Sequence, residues 1–307
     1  MARYAWVGLE SSFGQPAASG KFMDIASEDL HTVHDWILPE TAGRREKRMA
    51  IPGQLHVEGS VDVYVPPEGG IGEILKALLG SVSTETPSGA TNARLHTFTP
   101  ADSVPSLTID VCMDDVATRR FLGCVLGSVE FSVAPGEVLA ASLDITGKKE
   151  ESGTAQNPTF TELSPFAEHQ AVVTLGGSSV KPRALSLTIS NELEPLEVIG
   201  DRYYAGIPVK GLTVEGSMDL LFENTNQLDK FLNGTETSMA IEFTGGEIES
   251  GFNYKLKFEL PRVIYKTHEA GVDRRELLVE SIDFEALYDA TAGYLIRVQL
   301  QNTESGY

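Results

Sequence analysis

Alternation with a period of two runs through most of this chain. In QLHVEGSVDVYV, residues 54–65, Leu55, Val57, Gly59, Val61, Val63 and Val65 fall on one side, and Gln54, His56, Glu58, Ser60, Asp62 and Tyr64 on the other. Successive strand side chains point to opposite faces, so this pattern predicts a strand with one face in a core. LTVEGSMDLLF at 212–222, PSLTIDVCM at 105–113 and KLKFELPRVIY at 255–265 alternate in the same way, and GCVLGSVEFSV at 123–133 and YLIRVQLQN at 294–302 also read as strands. Pro66-Pro67, Pro135-Gly136 and Gly245-Gly246 mark ends and turns.

The period changes to that of a helix in two places. GIGEILKALLG, 70–80, carries Ile71, Ile74, Leu75, Leu78 and Leu79 on one side and stops at Gly80. NTNQLDKFLNG, 224–234, has Asn224 or Thr225 as N-cap, an apolar face of Leu228, Phe231 and Leu232, and a stop at Gly234. Many antiparallel strands and two short helices predict a mainly β protein. Each half is expected to be a β-sandwich or small barrel with one short helix covering an opening.

The halves are related. HVEGSVDV at 56–63 matches TVEGSMDL at 213–220 at an offset of 157. Ile51-Pro52 matches Ile207-Pro208, KALLG at 76–80 matches KFLNG at 230–234, and TET at 84–86 matches TET at 235–237. SVEF at 128–131 lies over SIDF at 281–284, and LHTVHDWILP from Leu30 lies over LTISNELEPL from Leu187. Matches in the same order predict a tandem duplication, with domains at 1–152 and 153–307 and GKKEESGTAQNPT, 147–159, as the linker. SLTI at 106–109 and 186–189 breaks that order and reflects strand composition.

Between Leu30 and Gln54 a strand, the segment TAGRREKRMA and another strand predict a long hairpin whose tip carries Arg44, Arg45, Lys47 and Arg48. Four cations are too costly to pack inside their own domain, so the tip is either solvated or docked on an acidic neighbour. The second copy has VIGDRYYAGIP at 198–208, with aromatics in place of the cations.

Charge sharpens this picture. The 307 residues hold 44 Asp and Glu against 24 Lys and Arg, a formal net charge of −20. The balance argues against a phosphate-gripping surface and against docking on anionic membranes. The N-terminal sequence has no apolar run of a secretory signal, and no stretch is long enough to span a membrane as a helix. Two cysteines, Cys112 and Cys124, make no disulfide framework and read as buried thiols made in a reducing compartment.

No set of residues announces catalysis. There is no GxSxG elbow, and GGIG at 69–72 opens a helix without the remainder of a phosphate loop. His31 and His34, with Asp35 beside them, face opposite sides of an alternating strand and lack further ligands. Asp114-Asp115 reads as a turn rather than a calcium loop, and Arg119-Arg120 and Arg274-Arg275 as solvated loops. No catalytic residue, metal or cofactor is expected.

VEGSVDVYV, then GEILKALLG, then LHTFTPADSVPSLTIDV, with ALYDATAGYLIRVQLQN at 286–302 closing the second half, is similar to the tail tube proteins of tailed bacteriophages, in their larger two-domain form. That resemblance implies a structural subunit of the virion tail, made and assembled in the host cytoplasm. Trimeric, pseudo-hexameric rings would stack into a hollow tube. Its partners would be itself, the tape-measure protein and tail-end proteins, with DNA passing during ejection and no specific binding. Under the resemblance Arg44, Arg45, Lys47 and Arg48 would contact the adjacent ring. Other readings are a tail terminator, a baseplate hub, a needle-like secretion tube, a carbohydrate-binding β-sandwich module or an acidic enzyme. The module would want an aromatic platform, for which Trp6, Trp36 and Tyr203-Tyr204 are thin material.

Overall fold

The computed structural model describes residues 3–40, 42–43, 45–114, 116–271 and 278–307. Arg44, Asp115 and Arg274-Arg275 lie outside the described residues. The first half runs β1 (Arg3–Leu9), β2 (Lys21–Met23), β3 (Ile25–Glu28), β4 (His31–Ile37), β5 (Ile51–Tyr64), α1 (Ile71–Leu79), β6 (Gly80–Glu85), β7 (Arg94–Pro100), β8 (Leu107–Met113), β9 (Ala117–Val133), β10 (Ala140–Gly147) and β11 (Lys149–Ser152). The second runs β12 (Ala171–Leu175), β13 (Ser178–Val180), β14 (Ala184–Leu193), β15 (Val209–Leu221), α2 (Asn226–Asn233), β16 (Thr237–Glu249), β17 (Phe252–Ala270), β18 (Val279–Ala286) and β19 (Arg297–Asn302). The mainly β class expected from alternation is the class observed, and the named pairings are antiparallel.

Two long strands organise the layers. The first part of β9 pairs with β8 and β11 in an outer sheet, and its second part pairs with β10 and β14 in an inner one. β17 does the same, with β16 and β19 outside and β18 inside. Each strand changes partners around a bulge that leaves one residue over, Gly127 opposite β10 and Lys266 opposite β18. A bulge raises local twist and bends the strand, which lets one strand serve two layers.

The inner sheet is continuous across the chain, in the order β3/β4, β5, β10, β9, β14, β15, β18, β17. Its registers recur. His31 stands opposite Glu58 as Thr188 stands opposite Glu215. Asp62 faces Ser142 as Asp219 faces Ser281, and the serine hydroxyl donates to the aspartate at 2.6 and 2.7 Å respectively. The pairing therefore sets SIDF, 281–284, against SLDI, 142–145, and not against SVEF on β9. It likewise sets Pro52 opposite Trp36 and Val209 opposite Leu193, one residue out of step with the Ile-Pro match. Both mismatches arise because short β segments share composition, whereas a one-residue slip would turn every side chain to the wrong face.

One apolar cluster extends through both halves, and Phe131 of β9 meets Phe258 of β17 with ring centres 4.9 Å apart. The helices differ. α1 buries Ile71, Ile74, Leu75, Leu78 and Leu79 and ends at Gly80, whose φ of +90° favours glycine. α2 ends at Gly234 in the left-handed region, as predicted, yet none of its residues is buried. The expectation that each helix covers an opening holds for α1 and fails for α2. Asn226, Gln227, Asp229 and Lys230 leave α2 only a narrow apolar stripe, and it touches the fold through Phe231 over the His268 ring and Gln227 against the Tyr265 hydroxyl.

The first half is also sealed by the second. β19 pairs with β7, and the Tyr307 ring packs edge-on against His96 at 4.7 Å. Asn302 bridges the two, bonded to His96 Nε2 at 2.9 Å and donating to the Tyr307 hydroxyl at 2.7 Å. Burial lowers the His96 pKa and raises that of Tyr307, so both rings are held neutral.

Candidate assembly surfaces

Three kinds of surface remain after the core is closed: a polar sheet face, two hairpin arms and two sheet edges.

The polar face of the inner sheet is acidic. Glu58, Asp62, Asp144 and Glu130 occupy it in the first half, and Glu215, Asp219, Asp283 and Glu285 in the second, alternating with the buried positions of the same strands. Lys266 answers two of these carboxylates, Glu285 at 3.2 Å and Glu215 at 3.5 Å, which raise its pKa. Partial burial, with Glu58 and Asp29 nearby, raises the Asp144 pKa. Asp29 moves the other way because the Ser60 amide and hydroxyl both donate to its carboxylate.

The first arm joins β4 to β5. Arg45, Lys47 and Arg48 are exposed at its tip, as the charge pattern predicted, and Arg44 lies outside the described residues. Lys47 Nζ sits 3.6 Å from Glu40 within the same tip. Sequence reasoning missed the apolar side chains flanking these cations. Trp36, Ile37, Leu38, Met49 and Ile51 are all exposed along the arm. The signal was present as WIL and MAI on either side of the basic run.

The second arm joins β14 to β15 and folds back. Arg202 Nε donates to the Gly53 carbonyl at 2.8 Å, and Arg202 Nη2 meets His34 Nε2 at 2.9 Å. Tyr204 and Ile207 are buried with Val125, against Leu193, Phe13 and Val104. Tyr204 is therefore a packing residue, not part of an exposed aromatic platform.

Edges complete the set. Among the described residues no strand lies outside β3–β4, or outside residues 264–270 of β17. Arg119 Nη1 donates to the Leu30 carbonyl at 2.9 Å, and Thr32 donates to Glu150 at 2.6 Å along the first edge. On the last two strands His268 Nε2 and Glu280 Oε2 are 2.8 Å apart and almost fully buried.

The remaining sequence candidates have local partners. His31 approaches Glu58 at 3.7 Å, and the His34 ring lies 4.3 Å from that of Trp36. Arg119 and Arg120 are not solvated loop residues as expected but strand residues ion-paired with Glu150 and Asp110, both at 2.7 Å. Asp114 sits in a turn with φ +54°. Cys112 and Cys124 are buried and unpaired, and burial pushes the Cys124 thiol well up. Among the described residues no group of three or more His, Cys, Asp and Glu could hold a metal ion, and no helix is long and apolar enough to cross a membrane.

The described residues thus form a double-layered β chain with two sheet edges left unpaired among them and one exposed arm. A family model described as phage tail tube protein matches residues 4–286, and the chain belongs to that family. It is a structural subunit of the phage tail tube, in the virion tail. No curated protein matches the chain.

Proposed function

We propose that this chain is a tandem pair of tail-tube domains, 1–152 and 153–307, and that three copies close into a pseudo-hexameric ring. The observation that carries this reading is the inner sheet. Two sets of strands with the same registers already join edge to edge inside the chain through β9 and β14, and the sheet ends in two edges that are unpaired among the described residues. Exposed edges invite pairing with another chain, and a cyclic arrangement uses up every edge. In the closed barrel the acidic face lines the lumen. Carboxylates there repel the phosphates of DNA, so that a genome slides through during ejection without being held. Before that, the lumen surrounds the tape-measure protein, and the ends of the tube meet tail-end proteins.

Rings then stack. Arg45, Lys47 and Arg48 are exposed at the tip of the first arm, with Arg44 next to them in the sequence, and in this reading the four cations dock on acidic surface of the neighbouring ring. The test is electron microscopy of the purified chain and of a variant with all four cations changed to Glu. Wild type is expected to form long hollow filaments, and the variant folded rings that do not stack. Filaments of the variant as abundant as those of wild type would remove the arm tip from ring stacking. Absence of filaments and rings from wild type under all assembly conditions would remove the tube reading.

A further inference from the structure

The contact within the chain specifies the contact between chains. In the internal joint Ser190 faces Ser128, Ile189 faces Val129, Thr188 faces Glu130 and Leu187 faces Phe131. β14 holds the same register against β15 that β3–β4 hold against β5, and the inner part of β17 holds the same register against β18, bulge included, that β9 holds against β10. Each partner in the internal joint therefore has a counterpart on a free edge. We propose that β4 of one copy pairs with β17 of the next, antiparallel, with Val33 opposite Thr267, Thr32 opposite His268, His31 opposite Glu269 and Leu30 opposite Ala270. The first arm's root covers the seam. The proposal rests on the ring reading above and adds its register and its contacts.

Three observations support a second copy as the occupant. The first is a matched difference in polarity. Where the internal joint has Val129 and Ile189, the free edges have His268, bonded to Glu280 on β18, and Thr32, bonded to Glu150. Charged and polar groups keep an edge soluble until the right partner arrives. The second is polar complementarity in the proposed register, which brings the His31 imidazole opposite the Glu269 carboxylate. The third is apolar exposure at two seam positions whose counterparts in the internal joint are covered. Leu193 packs against Val125, Tyr204 and Ile207, yet Trp36 at the same register is 52% exposed. Asn191 donates to the carbonyls of Leu78 and Leu126 at 3.0 and 3.2 Å. Leu78 is fully buried, whereas Leu232, at its place in KFLNG, is 69% exposed. The copy that supplies β4 brings Trp36 over Ile264, the counterpart of Val125, and His34 to the end of α2 beside Leu232.

Disulfide trapping reads the register directly. The full-length Val33→Cys, Thr267→Cys double variant, assembled and then oxidised, is expected to give covalently closed trimers on a non-reducing gel. Val33→Cys with Glu269→Cys, two residues out of register on the same face, is expected to stay unlinked. Ser128→Cys with Ser190→Cys is the control and links within one chain without a gain in mass. The buried native thiols stay out of the reaction. Rings that assemble but link out of register, or not at all, overturn this joint while the tube reading stands, and a chain that forms no rings overturns both. Trp36→Asp and Leu232→Asp each change an exposed residue and leave the separate chain folded, and each is expected to reduce ring formation about tenfold. Normal assembly of both overturns the covering role of the arm and helix.

Discussion

Glu73 is a buried carboxylic acid on α1, on the side of the helix turned away from the Ile/Leu stripe. It is only 8% exposed, and its Oε2 has no hydrogen-bond partner among the described residues. Burial pushes its pKa up to about 7, with Glu304 adding to the shift and Lys21 and Lys76 opposing it. An acid whose folded pKa lies above its unfolded value stabilises the fold most at low pH. As pH rises from the unfolded value of 4.5 through about 7, the unfolded chain sheds the proton first and stability falls, by about 3 kcal/mol in total. Urea unfolding midpoints measured from pH 4 to 8 should show this decline for wild type, and Glu73→Gln should flatten it. An unchanged slope in the variant would assign the pH dependence to other groups. The residue itself was legible in GIGEILKALLG, but its burial was not. Its spacing places it across the helix from the apolar stripe, where a polar side chain is ordinarily exposed, and the C-terminal residues beside it, Glu304 and Tyr307, come from the far end of the chain.

At the scale of elements, start and stop signals carried both helices. Gly80 and Gly234 end them because a positive φ is needed there, and that requirement is local. What each helix covers is not local. Leu75 faces the shared cluster, so Leu75→Ala should lower stability by about 2–5 kcal/mol through lost contacts and a residual cavity. Leu232→Ala on α2 should shift the stability of the separate chain by less than about 0.5 kcal/mol. Equilibrium unfolding in denaturant separates the two cases, and a large loss for Leu232→Ala would mean that α2 is packed in solution. The strands follow the same division. Alternation revealed β5 and β15, with their buried and exposed faces, while the double role of β9 and β17 emerged only from their partners, since a bulge leaves no mark on alternation beyond one extra residue.

At the scale of the molecule the halves are interlocked. β9 pairs with β14, β19 pairs with β7, and Tyr307 packs against His96 and Phe98 of the first half. The segment 1–152 alone would expose the edge of β9 and the side of β7, together with the pocket that Tyr307 fills. It should therefore lack cooperative unfolding and bind a hydrophobic dye, whereas the full chain is expected to unfold in one transition. A segment that unfolds cooperatively near the full chain's midpoint would show that the cross-contacts are dispensable.

The sequence by itself determined the strand-rich class, both helices, the acid balance, the basic arm tip and the recurrence of one pattern in two halves. Each is written in periodicity, turn chemistry or composition, which depend on near neighbours along the chain. Tertiary structure decided which segments share a register, which helix is buried, which arm folds back and which edges stay open among the described residues. Those outcomes depend on hydrogen bonds and apolar contacts between residues more than a hundred positions apart, as with Asn191 and Leu78 or His96 and Asn302. Two copies of one strand pattern can follow the same local rules and still differ in whether the partner is in the same chain or, as proposed here, in the next.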